Sequence, residues 1–224
     1  KLIFKKMFLE LLKKVVFRYT NFGNPTYPFN IEPSQLSKLT TLLDELSGKE
    51  GNLVEIGVAR GQTTLFLSKH IENTNYLKAN KDFKYYAIDT FSSFIEKDIK
   101  YEIKNRGKTR RELRGFRYNS FDKWKKNFNN YHFVKPIKTD CSIFNYESIS
   151  PLKLVFIDVD LYLPTKKTLN KIYKYVTKGG YILIDDVLDN KSWDGAFQAY
   201  MEFSAENNLE PIIIGNKCGL IQKK

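Results

Sequence analysis

The sequence predicts an α/β fold, a mostly parallel sheet with helices on both faces and a C-terminal antiparallel hairpin. Three observations predict it. Short, continuously apolar runs such as "NLVEIGV", "KLVFIDVD" and "GGYILIDDV" alternate with segments of helical apolar spacing. Strands with no polar alternation are buried on both faces, as parallel strands are. Two further short runs, "EPIIIG" and "CGLIQ", lie a turn apart at the end of the chain.

Each element follows in order. "KLIFKKMFLELLKKVVFRY" has apolar residues at helical spacing with lysines between them. That pattern suits a helix packed on its own domain, a dimer contact or a membrane-surface contact through residues 1–19. "NFGNPTYPFNIEP" is a loop, by its glycine and prolines. "PSQLSKLTTLLDEL" is a helix, with Ser34 as a cap and Gly48 as a stop. "NLVEIGV" is a strand and "QTTLFLSKHI" a helix. "FKYYAIDTF" is a strand, followed by a basic helical stretch. "YHFVKPIK" and "KLVFIDVD" are strands, "TKKTLNKIYKYV" a helix, "GGYILIDDV" a strand and "GAFQAYMEFSAENN" a helix. The expected division is an N-terminal helical segment and covering loop over 1–48 and a catalytic domain over 49–224. The basic stretch is an insertion at about 97–126.

The 224 residues and 42% hydrophobic content suffice for one large domain with a sizeable core. Two cysteines make no disulfide framework. The chain carries no signal-peptide pattern and no long uncharged apolar stretch, which points to a cytoplasmic protein. The formal charge is +12, and it is uneven. Residues 97–126 hold twelve Lys and Arg against four acids, a net +8. The rest is near neutral, so a general polyanion binder is excluded and nucleic acid is disfavoured as a partner.

"VEIGVARGQTT" places Gly57, Ala59 and Gly61 between a strand and a helix. Glycines permit a tight turn and close approach to a ligand. The following helix N-terminus, with Thr63 and Thr64, offers free amides. Asp89 ends the next strand, where an acid accepts both hydroxyls of a ribose. Glu55 narrows the ligand. A dinucleotide brings a pyrophosphate, which a carboxylate repels. S-adenosylmethionine brings a sulfonium and an ammonium, which Glu55, Asp89 and Asp158 attract. The structural alternative is that Glu55 only bonds turn amides.

Four aspartates, Asp158, Asp160, Asp185 and Asp186, end the two most strand-like runs. Carboxylates beside valine and isoleucine are costly to bury. In a parallel sheet, ligands bind beyond the carboxyl ends of the strands, so topology puts these acids in a site. If the strand continues regularly, Asp158 and Asp160 share a face. One solvated acid capping a turn would be ordinary; four at two strand ends fit that poorly.

"VEIGVARGQTTLFLSK", "YYAIDTFSSF", "LVFIDVDLYLPTKKTL", "GGYILIDDV" and "WDGAFQAYMEF" together resemble the macrocin O-methyltransferase family over roughly residues 50–204. The resemblance implies a Rossmann-like class I methyltransferase fold with a seven-stranded sheet. It implies S-adenosylmethionine as methyl donor and a sugar hydroxyl as acceptor. It also implies a divalent cation, usually Mg2+, on Asp158, Asp185 and Asp186, with Asp160 as general base. The acceptor would be a glycan, a nucleotide-sugar or a glycosylated metabolite. The family permits a homo-oligomer.

Further residues carry paired readings. Phe91 packs beside adenosine or in the core. Asp140, Cys141 and Ser142 contact adenine or cap a turn. Tyr162 and Trp193 touch the acceptor, or Trp193 anchors a helix. Arg110 and Arg111 clasp an anionic group on the acceptor, or form a solvated face. The competing functions are a D-x-D glycosyltransferase with Mn2+, against which the glycine loop and second "DD" strand count, and an RNA methyltransferase, for which no RNA-binding module is visible. A non-catalytic binding module is a fourth reading, opposed by the intact acids.

Overall fold

A computed structural model of the chain describes residues 2–189 and 193–224. It forms two compact units, divided between Asn30 and Ile31. In the first, helix α1 spans Leu2–Tyr19. Met7, Phe8, Leu11 and Phe17 are exposed along it. Thr20 then closes a short turn over Asn21–Gly23, its Oγ1 accepting from the Phe22 amide at 3.2 Å. Lys1 lies outside the described residues. No described helix is long and apolar enough to cross a membrane.

The second unit opens with α2, Pro33–Glu45. Its cap is Glu32 rather than Ser34. The Glu32 amide donates to Gln35 Oε1 at 2.6 Å, and Glu32 accepts in return from the backbone of Gln35 in a capping box. The strands are β1 Asn52–Ile56, β2 Tyr85–Asp89, β3 Val134–Lys138, β4 Leu152–Ile157, β5 Val176–Ile184, β6 Ile212–Ile214 and β7 Cys218–Gln222. They form one seven-stranded sheet in the order β3-β2-β1-β4-β5-β7-β6. The first five are parallel, and β7 is antiparallel to β5 and β6. The helices are α3 Gln62–Asn73, α4 Tyr76–Ala79, α5 Glu96–Arg106, α6 Phe121–Asn127, α7 Tyr162–Ile172 and α8 Asp194–Glu206. The basic stretch is therefore two helices joined by turns, because Gly107 ends α5 in a left-handed conformation.

Strand alternation divides the core. Val54, Ile56, Val155, Ile157, Ile182 and Ile184 pack with Leu169 and Ile172 of α7 and Tyr200 and Phe203 of α8. Each fully buried aliphatic side chain of this kind contributes about 1.5–3 kcal/mol. The opposite face of β1 turns Glu55 toward Thr64 of α3.

Candidate active site

The carboxyl ends of β1, β2, β4 and β5 share one device. Each is followed within two or three residues by a non-glycine residue at positive φ: Ala59 (43°), Phe91 (50°), Asp160 (59°) and Asp186 (57°). That conformation costs energy for an L-residue, and such residues gather at functional sites. Here they turn the chain sharply at the rim of the sheet.

The acids converge through these turns. β4 ends at Ile157, so the expected sharing of a strand face by Asp158 and Asp160 does not apply. The Leu161 amide donates to Val159 O at 2.6 Å, and the left-handed Asp160 swings its carboxylate back instead. One carboxylate oxygen each from Asp158, Asp160 and Asp186 lies within 4.8 Å of the others. Burial pushes the pKa of Asp158 well up, and its neighbours Asp185, Asp160 and Asp186 push it further. Burial does the same to Asp160, followed by the charge of Asp186. Like charges this close cannot all ionise in a half-buried site unless a cation joins them.

Asp185 is held differently. It accepts from Gln35 Nε2 at 2.7 Å and from Lys217 Nζ at 3.0 Å. The same Lys217 nitrogen donates to Asp186 at 2.8 Å. Burial works against the Lys217 ammonium, but the two carboxylates outweigh it and its pKa rises above the ordinary lysine value. Neither Gln35 nor Lys217 was singled out by the sequence. Lys217 sits in the β6–β7 turn, and only the hairpin's return beside β5 brings it to the acids.

The glycine loop adjoins this cluster. Gly57 has φ +85°, and a Cβ there would stand 1.7 Å from the carbonyl oxygen of Asp158. Asp89 holds the loop: its Oδ2 accepts from the Val58 and Ala59 amides at 2.8 and 3.0 Å, and its Oδ1 from Phe91 N at 2.6 Å. Burial raises the Asp89 pKa, partly offset by those amides. A Cβ at Gly61 would strike the rings of Phe128 and Trp124. Thr63 lies half-exposed in the first turn of α3.

Several expected contacts have other partners. Glu55 is 1% exposed, and its Oε2 accepts from Thr64 Oγ1 at 2.6 Å and from the Tyr85 hydroxyl. Burial lifts its pKa to about 7. It braces β1 against α3, with side chains rather than turn amides as donors. Phe91 is buried against Phe121 and Trp124, ring centroids 4.9 and 5.4 Å away. Asp140 accepts from Lys97 Nζ at 2.6 Å and from the Ser142 amide and hydroxyl at 2.8 and 2.7 Å. Burial raises its pKa, but those bonds outweigh it and the carboxyl lies below its usual range. Burial pushes the Cys141 thiol up to about 12, which leaves it inert.

Of the residues expected at the acceptor, Tyr162 donates its hydroxyl to Glu202 at 2.6 Å, receives Lys166 Nζ at 3.1 Å and stacks on Tyr101. Its amide donates to the buried Glu102 at 2.8 Å, which caps α7. Arg106 Nε lies 3.1 Å from Glu102, and Arg106 and Lys108 both reach Asp194 Oδ1, at 3.0 and 2.8 Å. Arg110 forks onto Glu96 at 2.6 and 3.0 Å. Arg111 is exposed. Trp193 packs on the cluster of Ile99, Leu113 and Leu161, with Phe94 at 6.0 Å.

Residues 30–220 match the family model described as Macrocin-O-methyltransferase (TylF). The chain belongs to the macrocin O-methyltransferase family. It is an S-adenosylmethionine-dependent O-methyltransferase. Solved structures share the macrocin O-methyltransferase fold seen here. The O-methyltransferase NovP superposes with a TM-score of 0.71 at 22% identity, covering 98% of this chain and 99% of NovP. CalS11, the calicheamicin methyltransferase, superposes at 0.67 and 16% identity, covering 95% of this chain and 84% of that one. A second CalS11 structure, described as a TDP-rhamnose 3'-O-methyltransferase, superposes at 0.57 and 20% identity over 84% and 78%. No curated protein matches the sequence.

Proposed function

We propose that this enzyme methylates a sugar hydroxyl, with Asp160 accepting the proton and a divalent cation held by Asp158, Asp185 and Asp186. The observation that carries the reading is the meeting of the Asp158, Asp160 and Asp186 carboxylates beside the Gly57 loop. The donor set fits a hard cation: all ligands are oxygens, Asp158 and Asp186 half-buried and Asp185 buried, and mutually repulsive without added positive charge. Asp158 and Asp186 are the two expected ligands that already lie together. Asp185 is kept in place by Gln35, and Lys217 supplies positive charge to Asp185 and Asp186. A bound divalent cation would orient neighbouring sugar oxygens and lower their pKa.

The chain's own residues do the rest. The loop from Gly57 to Gly61, held by Asp89, seats the methyl donor. The acceptor oxygen attacks the methyl carbon in line as the carbon–sulfur bond breaks, yielding S-adenosylhomocysteine and the methyl ether. The acceptor proton passes to Asp160, whose carboxylate lies beside those of Asp158 and Asp186. Glu55 acts as a positioning residue, fixing α3 below the loop. CalS11, described as a TDP-rhamnose 3'-O-methyltransferase on the same fold, supports a sugar-bearing acceptor.

Calorimetric titration with S-adenosylhomocysteine tests the reading. Micromolar binding is expected, weakened about tenfold or more in Asp89→Ala because loop and ribose lose one carboxylate. Folded protein that binds no S-adenosylhomocysteine would sink it and send the search to UDP-sugars with Mn2+.

A further inference from the structure

We propose that residues 107–120 form an anion-recognition strap, and that the acceptor carries a phosphate or diphosphate group gripped by Arg114 and Arg117. The inference rests on the methyltransferase reading and names its substrate class.

The strap joins α5 to α6 through turns, and four pins fix its course. Leu113 is buried with Ile99 and Leu161, and Trp193 packs on the same cluster. Ser93 Oγ donates to Gly115 O at 2.7 Å. Phe116 meets Phe94 edge-on at 5.4 Å. The Arg60 guanidinium lies 5.9 Å from the centre of the Tyr118 ring. Leu161 directly follows Asp160, Ser93 follows the Asp89 strand end, and Arg60 belongs to the glycine loop. The strap thus runs from the proton-accepting aspartate to the cofactor loop. Arg114 and Arg117 stand between the pins, both exposed.

Five of the twelve cations, Lys100, Lys104, Lys123, Lys125 and Lys126, are exposed on α5 and α6, and the other seven sort into two groups. Lys97, Arg106, Lys108 and Arg110 are engaged with Asp140, Glu102, Asp194 and Glu96, and hold the segment together. Among the described residues, Arg111, Arg114 and Arg117 form no ion pair, and they recur at every third position of the strap. A guanidinium is weakly hydrated and pairs with phosphate through two parallel hydrogen bonds. A neutral sugar has no use for such a row. A phosphorylated acceptor does, because the acid cluster repels it and cations at the rim offset that repulsion and steer it inward.

The test uses the full chain saturated with S-adenosylhomocysteine and titrated with UDP, glucose 1-phosphate and glucose. Binding of a phosphate-bearing probe but not of glucose is expected. Arg114→Ala/Arg117→Ala should weaken that binding by about tenfold or more and leave S-adenosylhomocysteine affinity unchanged, which also reports intact folding. Arg114→Lys/Arg117→Lys should recover part of it and retain its salt dependence. Tighter UDP binding identifies a nucleotide-linked sugar; tighter glucose 1-phosphate binding identifies a sugar phosphate. Phosphate probes that bind no better than glucose, or equally well to the alanine variant, overturn the proposal while S-adenosylhomocysteine binding leaves the methyltransferase reading standing. Displacement of UDP by a uridine oligonucleotide at lower concentration overturns it in favour of RNA. Loss of S-adenosylhomocysteine binding in folded wild type fails both.

Discussion

Two lysines stand at opposite ends of the same sheet and meet opposite company. Lys153, at the amino end of β4, is 1% exposed and donates to Leu46 O, Lys49 O and Asn80 Oδ1 at 3.3, 2.9 and 2.7 Å. Tyr76 and Phe83 present their ring faces to it at 5.1 and 5.3 Å. It meets neutral oxygens alone, and burial lowers its pKa to about 8. Lys217, at the carboxyl end, meets two carboxylates and its pKa rises. The amino end spends a charge to tie loops together and satisfies its donors. The carboxyl end keeps three acids, Asp158, Asp160 and Asp186, within reach of one another despite their repulsion. Satisfied burial marks a structural clamp; unsatisfied crowding marks a site.

Asp160→Asn would break the acid end with the largest effect. Methyl transfer should fall by about a hundredfold to ten-thousandfold, measured under saturating S-adenosylmethionine. The melting temperature should rise, because one repelling charge is gone. A variant that loses activity and stability together would mark Asp160 as a structural residue.

Lys153→Met addresses the other end. Loss of the ammonium leaves the Leu46 and Lys49 carbonyls unpaired, and denaturant unfolding at neutral pH should show a loss of about 2 kcal/mol. The pH dependence has a definite sign. The folded pKa of about 8 lies below the ordinary lysine value of 10.5, so the unfolded chain binds more protons between them. This lysine's contribution therefore improves as pH climbs from about 8 to the unfolded value, and is at its poorest below. The gap between wild type and variant should widen over that window, and a constant gap would show that Lys153 does not titrate there.

Lys217→Met sharpens the contrast with the smallest effect. The ammonium repels an incoming cation, so its removal should tighten Mg2+ binding by about fivefold. Calorimetry reads this directly, and weaker Mg2+ binding would make Lys217 a support for the site instead of a competitor.

Much of this was legible in the sequence. Apolar runs without alternation located the parallel strands, and the topology of such sheets placed the aspartates at a rim. Three features were not legible, each for a physical reason. The convergence of Asp158 and Asp160 depends on a left-handed turn that no strand periodicity reveals. Lys217 and Gln35 reach Asp185 only through tertiary packing, across sequence separations of 32 and 150 residues. Glu55 reads as an acid beside the glycine loop that suits a positively charged cofactor, and what the sequence hides is its orientation, set by which face of β1 meets Thr64 and Tyr85. The basic stretch behaved similarly: composition gave its charge, while only the packing shows that Arg106, Lys108 and Arg110 are already paired.

The strand order also has a consequence for how the chain is made. β1 lies between β2 and β4, and Leu53 pairs with Leu154 about a hundred residues later. A chain emerging from the ribosome holds one flank of its central strand bare until β4 is synthesised. Contacts so distant in sequence close slowly, and an open apolar edge invites association with other chains. The glycine loop needs the same event, since Gly57 rests against the carbonyl of Asp158. The first half of this enzyme is thus a folding problem whose solution, and whose finished glycine loop, arrive only with the second.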